Sequence, residues 1–274
     1  MKHTFEILEK LGVDENLIKL AKKETAIPYI ADDFNSPLDY WYQHPPALVP
    51  IFLGFGAAYY GYLKHWFVER EETYMRFVAE WGFMLEYARN SRQFFAQMIL
   101  GMDMIKEGLD DKILKFAEAV DFKNPQKIDE FAEQYGDDKM NFDKLEFFSG
   151  DVPLTYLKSL DEYKGDFPSS EILFNASVID KACSYEIAKD EYLDENSPEW
   201  LDKNTDKKTL FARYISENEL GKAWLTLNST GWRLADVADG LNELKTKTDD
   251  ALFQMIADNW IDGWQNSNSR EASY

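Results

Sequence analysis

The sequence predicts an α+β fold that is mostly helical, with a small antiparallel sheet near the N-terminus and a helical C-terminal half. Between residues 48 and 78 the apolar and aromatic residues recur with a period of two, which is typical of strands. Before and after this stretch they recur at helical spacing, which places them on one face of a helix. The links between the strands are too short for a crossover, so antiparallel pairing is expected.

Two short helices are predicted at the start of the chain. Thr4 is expected to cap the first, which ends at Gly12, and Asp14 is expected to cap the second. Residues 25–47 then contain four of the nine prolines, so this segment is predicted to be extended chain and loops.

Three strands are predicted between residues 48 and 78. The sequence Gly54-Phe55-Gly56 lacks the ending of a phosphate-binding loop and is predicted to form a turn between the first two strands. In the second strand, residues 59–68, neither face is cleanly polar, which indicates a strand that is covered on both sides. A charged turn at residues 69–72 leads to the third strand, Thr73–Val78.

The rest of the chain is predicted to be helical, starting with a long helix after Gly82 that runs toward Met104. Asp249 is expected to cap the final helix. The further segments with helical spacing are 110–120, 125–135, 152–160, 178–193, 234–244 and 252–264. We predict an α+β unit with the aromatic sheet at residues 1–136 and a helical region at residues 145–274, either separate or packed into the same domain.

The net charge of −20 limits the choice of partner. Residues 1–123 carry 14 Lys or Arg against 19 Asp or Glu, and the remainder carries 16 against 31. Such a field repels phosphate backbones, which argues against nucleic-acid binding, and it suits a basic protein partner. Acidity that serves only solubility is the simpler alternative.

The compartment is predicted to be cytoplasmic, with no membrane partner. Cys183 is the only cysteine, so no internal disulfide forms. The N-terminal residues lack the continuous apolar core of a signal peptide. The longest apolar run, residues 48–63, is interrupted by Pro50 and by glycines and is shorter than the ~20 residues of a membrane helix.

No residue pattern predicts a catalytic residue, a metal site or a cofactor. The three histidines and one cysteine form neither an HExxH nor a CxxC motif. Cys183 lies among apolar residues and is expected to be a core residue. The predicted contact site for a partner is instead an exposed patch of aromatic and acidic residues around the second strand and the following turn. Its members are Tyr60, Tyr62, Trp66, Glu69, Glu71 and Glu72.

Residues 1–100 carry several short motifs in a recognisable order. Two helices end near Leu11-Gly12, Ile27-Pro28-Tyr29 follows, and a strand leads to Gly54-Phe55-Gly56, a Tyr-rich strand and the segment YARNSRQFF at residues 87–95. This order resembles the SUKH superfamily, whose bacterial members are mostly immunity proteins, although Ala57 and Ala58 replace the acids usual after the glycines. The resemblance implies a cytoplasmic α+β module that binds and neutralises a toxin.

The predicted function is therefore non-enzymatic binding of a basic protein, of the immunity or antitoxin type. A first alternative is a hydrolase or other enzyme with a cleft lined by His65, Glu69 and Arg70, which requires a deep pocket and a carboxylate near His65. A second is a helical scaffold without ligand that associates through the tryptophans of its C-terminal helices. These are Trp224, Trp232, Trp260 and Trp264.

Overall fold

A four-stranded antiparallel sheet lies in the N-terminal part of the fold, and its strands follow one another in chain order. The strands are β1 (Leu48–Gly54), β2 (Ala58–Leu63), β3 (Thr73–Val78) and β4 (Phe83–Ala88). They are seen in a computed structural model, which describes residues 2–168, 176–187, 196–268 and 271–273. The sheet and the helices that follow it confirm the predicted α+β class.

The central pair of strands has the most regular register. β2 and β3 pair without interruption from Ala58 opposite Val78 to Leu63 opposite Thr73. Both outer pairs contain an irregularity, after Pro50 in β1 and after Tyr74 in β3. Proline cannot donate to a ladder and is tolerated on edge strands and at bulges, which is where Pro50 lies.

Both faces of the sheet are covered, as the pattern of β2 predicts. On one face Phe94 contacts a group of aromatic rings that β1 to β4 present. These rings are Phe52, Tyr60, Tyr74 and Tyr87. On the other face, Tyr59 packs against His44 and Phe77 packs against Tyr185. The sheet thus lies inside the hydrophobic core.

The helices surround this sheet. In chain order they are α1 (Thr4–Lys10), α2 (Glu15–Ala21), α3 (Ser91–Lys106), α4 (Asp111–Ala119), α5 (Gln126–Tyr135), α6 (Lys207–Ser216), α7 (Leu220–Leu227), α8 (Leu234–Lys245) and α9 (Ala251–Asn266). Asp14 caps α2 as expected, accepting a hydrogen bond from the Asn16 amide at 2.8 Å. Within the described part of the chain, no helix has the length and apolar character to cross a membrane.

The prediction of a long helix directly after Gly82 is wrong, because residues 83–88 form β4. The left-handed backbone at Gly82 (φ +68°) turns the chain, and its amide bonds to the Val78 carbonyl. Helix α3 begins only at Ser91, where the side chain of Asn90 accepts a hydrogen bond from the Gln93 amide. A six-residue, mostly apolar segment fits both the helical period and the strand period, and pairing with β3 makes it a strand.

Two other helix predictions are also wrong. Residues 152–160 form no α-helix: they contain the 3₁₀ turn Leu154–Tyr156, which follows Pro153, and the first residue of a second one, Leu160–Glu162. Within the predicted helix 178–193 the chain forms 3₁₀ turns at Ala176–Lys181 and Ser184–Glu186, and residues 188–193 lie outside the described residues. There the Glu186 side chain accepts the Cys183 amide, a local bond that competes with the helical one.

Two predicted caps are displaced by one residue. Asp250, rather than Asp249, caps α9 by accepting hydrogen bonds from the amides of Leu252 and Phe253. At the other end of the chain, Thr4 is the first residue of α1 and lies buried, while His3 precedes the helix.

Buried hydrogen bonds connect the C-terminal helices to the first 47 residues. The Asn259 amide group donates to the Thr4 hydroxyl at 3.1 Å, and the Trp260 indole donates to the His44 carbonyl at 2.9 Å. The Ala47 amide donates to the Asn228 side chain at 2.7 Å. Groups far apart in sequence are therefore satisfied by one another in the interior.

Candidate functional site

The connection between β2 and β3, residues 64–72, holds most of the residues predicted to form a site. Its side chains separate into two groups. His65, Trp66 and Arg70 are buried. The three acids, Glu69, Glu71 and Glu72, are exposed.

The predicted aromatic residues do not form an exposed patch at this end of the sheet. Trp66 is buried against Trp224, and its indole donates to a carboxylate oxygen of Asp250 at 3.3 Å. Tyr60 and Tyr62 are half-buried on the face that α3 covers. Their rings contribute mainly to packing.

Two of the three predicted acids have a basic partner within the same region. Glu71 lies 2.8 Å from Arg89, and Glu72 pairs with Lys64. Glu69 has no ion pair within the described part of the chain, although its carbonyl accepts a hydrogen bond from Lys181 at 3.2 Å. The charge that this turn offers to a partner is smaller than its sequence suggests.

A buried ionic cluster lies directly beneath the turn. The Nη1 atom of Arg70 is 2.7 Å from one carboxylate oxygen of Glu186 and 2.8 Å from the other. The Nε2 atom of His65 lies 3.4 Å from Glu186 and 3.1 Å from Arg70 Nη1. The Cys183 amide donates to Glu186 at 2.8 Å. The cluster joins the β2–β3 connection to the 3₁₀ turn Ser184–Glu186.

Both ring nitrogens of His65 face buried polar groups. The indole N–H of Trp224 in α7 donates to Nδ1 at 3.3 Å. Nε2 faces the carboxylate of Glu186 and the guanidinium of Arg70, and the guanidinium can only donate. Burial lowers the pKa of His65 and thereby favours the neutral ring.

Charge interactions within the cluster keep Glu186 ionised. Burial by itself raises the pKa of a carboxyl, but the Arg70 charge and the His65 hydrogen bond outweigh it and lower the pKa of Glu186 to about 2. Burial raises the pKa of Cys183 well above its ordinary value, and the thiol stays protonated. The cluster at neutral pH is an Arg⁺–Glu⁻ pair with a neutral His and a neutral Cys.

This arrangement contains the carboxylate that the enzyme alternative requires, but it comes from Glu186 rather than Glu69. The side chain of His65 is only 1% exposed and Cys183 is fully buried, so a substrate does not reach them in this structure. Glu186 was not singled out from the sequence. The available signal was its position three residues after Cys183, the spacing of a capping interaction.

A second buried carboxylate, Glu86 in β4, organises the region next to the turn. It accepts hydrogen bonds from the Thr73 hydroxyl at 2.9 Å, the Tyr163 hydroxyl at 2.9 Å and the Leu154 amide at 2.6 Å. Burial raises its pKa, while the nearby Arg89 acts in the opposite direction. Arg89 in turn holds Glu71, which explains the orientation of that predicted contact residue.

Exposed aromatic residues lie at the opposite end of the sheet, on two neighbouring turns. The β1–β2 turn and the β3–β4 turn are joined by a hydrogen bond from the Ala79 amide to the Ala57 carbonyl at 3.3 Å. Phe55 at the tip of the first is 83% exposed, and Trp81 at the tip of the second is 50% exposed. Large apolar side chains at such exposure often mark interaction sites.

Three exposed acids accompany these rings. Glu80 precedes Trp81, and the Asp32–Asp33 segment runs beside Gly54 at the end of β1. Within the described residues none of the three carboxylates has an ion-pair partner, in contrast to Glu71 and Glu72. We call this group the sheet-tip patch; its members are Asp32, Asp33, Phe55, Glu80 and Trp81. The sequence signal was the position of both aromatic residues beside turn glycines.

Lys139 lies half-buried over the face of the sheet that α3 covers. Its pKa provides a test of how burial affects charged groups in this region. Its ammonium is 5.5 Å from the ring centre of Tyr87 and 5.3 Å from that of Tyr156, and it donates to Gln97 at 2.9 Å. Burial, helped by the nearby Arg76 charge, lowers its pKa from 10.5 to about 8.

The contribution of Lys139 to the free energy of unfolding is therefore expected to rise between pH 8 and pH 10, because the folded state releases the Lys139 proton before the unfolded state does. Lys139→Met is expected to remove this rise, which urea titrations at several pH values measure. The matched control is Lys247→Met at an exposed position, which should keep the rise. An unchanged pH profile in Lys139→Met contradicts the assignment.

Together the fold and these sites define an α+β protein with a four-stranded antiparallel meander enclosed by helices. Among the described residues, no group of three His, Cys, Asp or Glu side chains is arranged to hold a metal ion. No protein-family model, curated protein or solved structure matches the chain. The resemblance of residues 1–100 to the SUKH superfamily stays a prediction.

Proposed function

We propose that this protein is a non-enzymatic binding module of the immunity or antitoxin type, which neutralises a basic protein partner through its acidic surface. The observation that carries the proposal is the sheet-tip patch, in which two exposed aromatic rings are accompanied by three acids without ion-pair partners among the described residues. We place the main partner contact there rather than at the Glu69–Glu72 turn, which remains a secondary contact.

The physical properties of the patch favour protein binding. Aromatic residues dominate the energy of protein interfaces, because they bury large areas at a small entropy cost. Trp81 is also restrained before binding: its ring stacks on Phe83 at 5.8 Å, and the Arg76 guanidinium lies 5.5 Å from its centre. A restrained contact residue loses less conformational freedom in the complex. The net charge of −20 accelerates the encounter with a basic partner.

The positions of other candidate residues also support this proposal over its alternatives. His65 and Cys183 are enclosed, which weakens the enzyme alternative. Trp224 and Trp260 are buried in the core, and Trp264 is half-buried, so little aromatic surface is left on these helices for association between copies. Trp232 is also buried, but it lies between α7 and α8 rather than on a helix as predicted. Among the described residues, Phe55 and Trp81 of the sheet-tip patch are the most exposed aromatic side chains.

The test is to express the protein together with the product of the neighbouring gene and to measure both growth rescue and the affinity of the complex. Phe55→Ser and Trp81→Ser are each expected to weaken the complex by about 30-fold or more, since buried aromatic contacts at interface centres contribute about 2–4 kcal/mol. Tyr40→Ser is the matched control, because Tyr40 is another exposed aromatic residue outside the patch. Asp32→Lys/Asp33→Lys should mainly slow association at low salt.

The outcomes distinguish a failure of the proposed function from a failure of the sheet-tip patch as the contact surface. A toxic neighbour that the wild-type protein neutralises, with equal affinity for the patch variants, supports the function and refutes the patch. A neighbouring product that is not toxic and forms no complex refutes the proposed function itself.

A further inference from the structure

A groove lies between the segment that follows α2 and one face of helix α4, away from the sheet-tip patch. Its volume is about 460 Å³. Helix α4 contributes Lys112, Lys115, Phe116 and Ala119, which are spaced so that they share one face. The opposite wall comes from residues 25–29. This volume is within the usual range of small-molecule sites, about 300–1,000 Å³.

The walls of the groove are mostly apolar. Pro28, Ala26 and Tyr29 face Phe116 and Ala119 across it. Tyr29 has a left-handed backbone (φ +63°), which is unfavourable for a bulky residue, and its ring remains 37% exposed. Strain of this kind is often found where a side chain is held for binding.

Lysines surround the ring of Tyr29 at the rim. The ammonium groups of Lys106 and Lys112 lie 5.2 Å and 5.4 Å from its centre, and Lys115 lines the groove one turn further along α4. In the described part of the chain, none of the three has a carboxylate within ion-pair distance. Many other lysines of this acidic protein do have one, including Lys19, Lys64 and Lys245.

The acid in contact with Tyr29, Asp110, is already engaged. Its carboxylate accepts hydrogen bonds from the amides of Lys112 and Ile113 at 2.9 Å and 3.0 Å, and from the hydroxyl of Tyr29. The groove therefore combines an apolar interior with a basic rim, although the whole chain has a net charge of −20.

We propose that this groove binds a small anionic amphiphile, a molecule with a carboxylate head and an apolar tail. The head lies among the ammonium groups of Lys106, Lys112 and Lys115. The tail lies along Ala26, Pro28 and Ala119, where it removes apolar surface from water. The site is independent of the proposed partner-binding function, and neither requires the other.

The test uses decanoate below its micelle concentration, with decanol as the uncharged probe of the same chain length. Calorimetry is expected to show saturable binding of one decanoate per chain, and amide NMR shifts should concentrate at residues 25–29 and 112–119. Decanol should bind at least about tenfold more weakly, since charge-assisted contacts contribute about 1.5–3 kcal/mol.

Two variants of exposed residues test the two parts of the site. Lys112→Gln/Lys115→Gln should lower decanoate affinity about tenfold or more and leave decanol unchanged. Ala119→Glu, which places a negative charge in the groove, should abolish binding of decanoate. The matched control is Lys208→Gln/Lys222→Gln, which changes the net charge equally at exposed lysines of α6 and α7. Circular dichroism verifies that each variant is folded.

Four results overturn the proposal. The first three are binding of decanoate that does not saturate, equal affinity for decanol and decanoate, and equal loss in the control double variant. NMR shifts that fall outside the groove, with normal binding in Ala119→Glu, also refute it.

Discussion

Glu186→Ala is expected to destabilise the protein by about 3–5 kcal/mol, because it leaves the buried Arg70 guanidinium with only the more distant carboxylate of Asp166, 3.9 Å from its Nε. Arg70 and Glu186 both have fully buried side chains, with 2.7 Å between Arg70 Nη1 and a carboxylate oxygen. The same carboxylate accepts the Cys183 amide, so this bond is lost as well. Urea unfolding followed by far-UV circular dichroism measures the change in the free energy of unfolding.

The double variant Arg70→Met/Glu186→Leu is the control for this prediction. It removes both buried charges and fills much of the same volume, so it should be clearly more stable than Glu186→Ala. If the double variant is as unstable as the single one, the cost comes from lost packing rather than from an unpaired charge.

Acid sensitivity follows from the same carboxylate. The pKa of Glu186 is lowered from 4.5 to about 2 in the folded protein, so the unfolded state binds its proton first as the pH falls. This contribution to stability is complete above pH 4.5 and is lost as the pH falls from there to about 2. Glu186→Gln should therefore flatten the decline of stability in this interval.

Trp224→Ala is expected to cost about 3–5 kcal/mol through loss of core packing, which makes it the second large effect. The side chain is fully buried, and its ring contacts Trp66, Phe67 and Phe253 at centroid distances of 5.9, 6.4 and 5.7 Å. The change leaves a cavity between α7, α9 and the β2–β3 connection. The midpoint of urea unfolding should fall, with an unchanged dependence on urea.

Two controls separate packing from hydrogen bonding at this position. Trp224→Phe keeps an aromatic ring but loses the donor to His65, and we expect a smaller cost, which includes about 1 kcal/mol for the hydrogen bond. Trp81→Ala removes an exposed indole and should change stability by no more than about 0.5 kcal/mol. A small effect of Trp224→Ala would show that this core collapses around the missing ring.

Elements with a strong local signal were predictable. The period of two in β2 and the aromatic residues on both of its faces indicated a covered strand, and Thr73–Val78 is β3 with the expected bounds. The amphipathic segments that form α4, α5, α8 and α9 also appear where their apolar stripes indicate. β4 was not predicted, because six residues are too few to distinguish the helical period from the strand period. Pairing with β3 makes this segment a strand.

The predicted site shows where local reasoning ends. Alternation along the predicted second strand, residues 59–68, indicates that Tyr60, Tyr62 and Trp66 share a face, and on this basis they are predicted as contact residues. The observed β2 ends at Leu63, so Trp66 lies in the following connection. This alternation pattern contains no information about which end of the sheet will be covered by segments that lie elsewhere in the sequence. Trp66 is buried by Trp224, which lies far along the chain, while the two turns at the opposite end expose Phe55 and Trp81.

The class of fold, the acidic charge and most helices and strands follow from residues that are close in the chain, because backbone periodicity and capping are local effects. The buried ion pair and the exposed patch do not, since they depend on segments that meet only after folding. Arg70 and Glu186 are 116 positions apart in the sequence. The free energy of burying their charges is set by the three-dimensional surroundings of each group, which no short sequence pattern specifies.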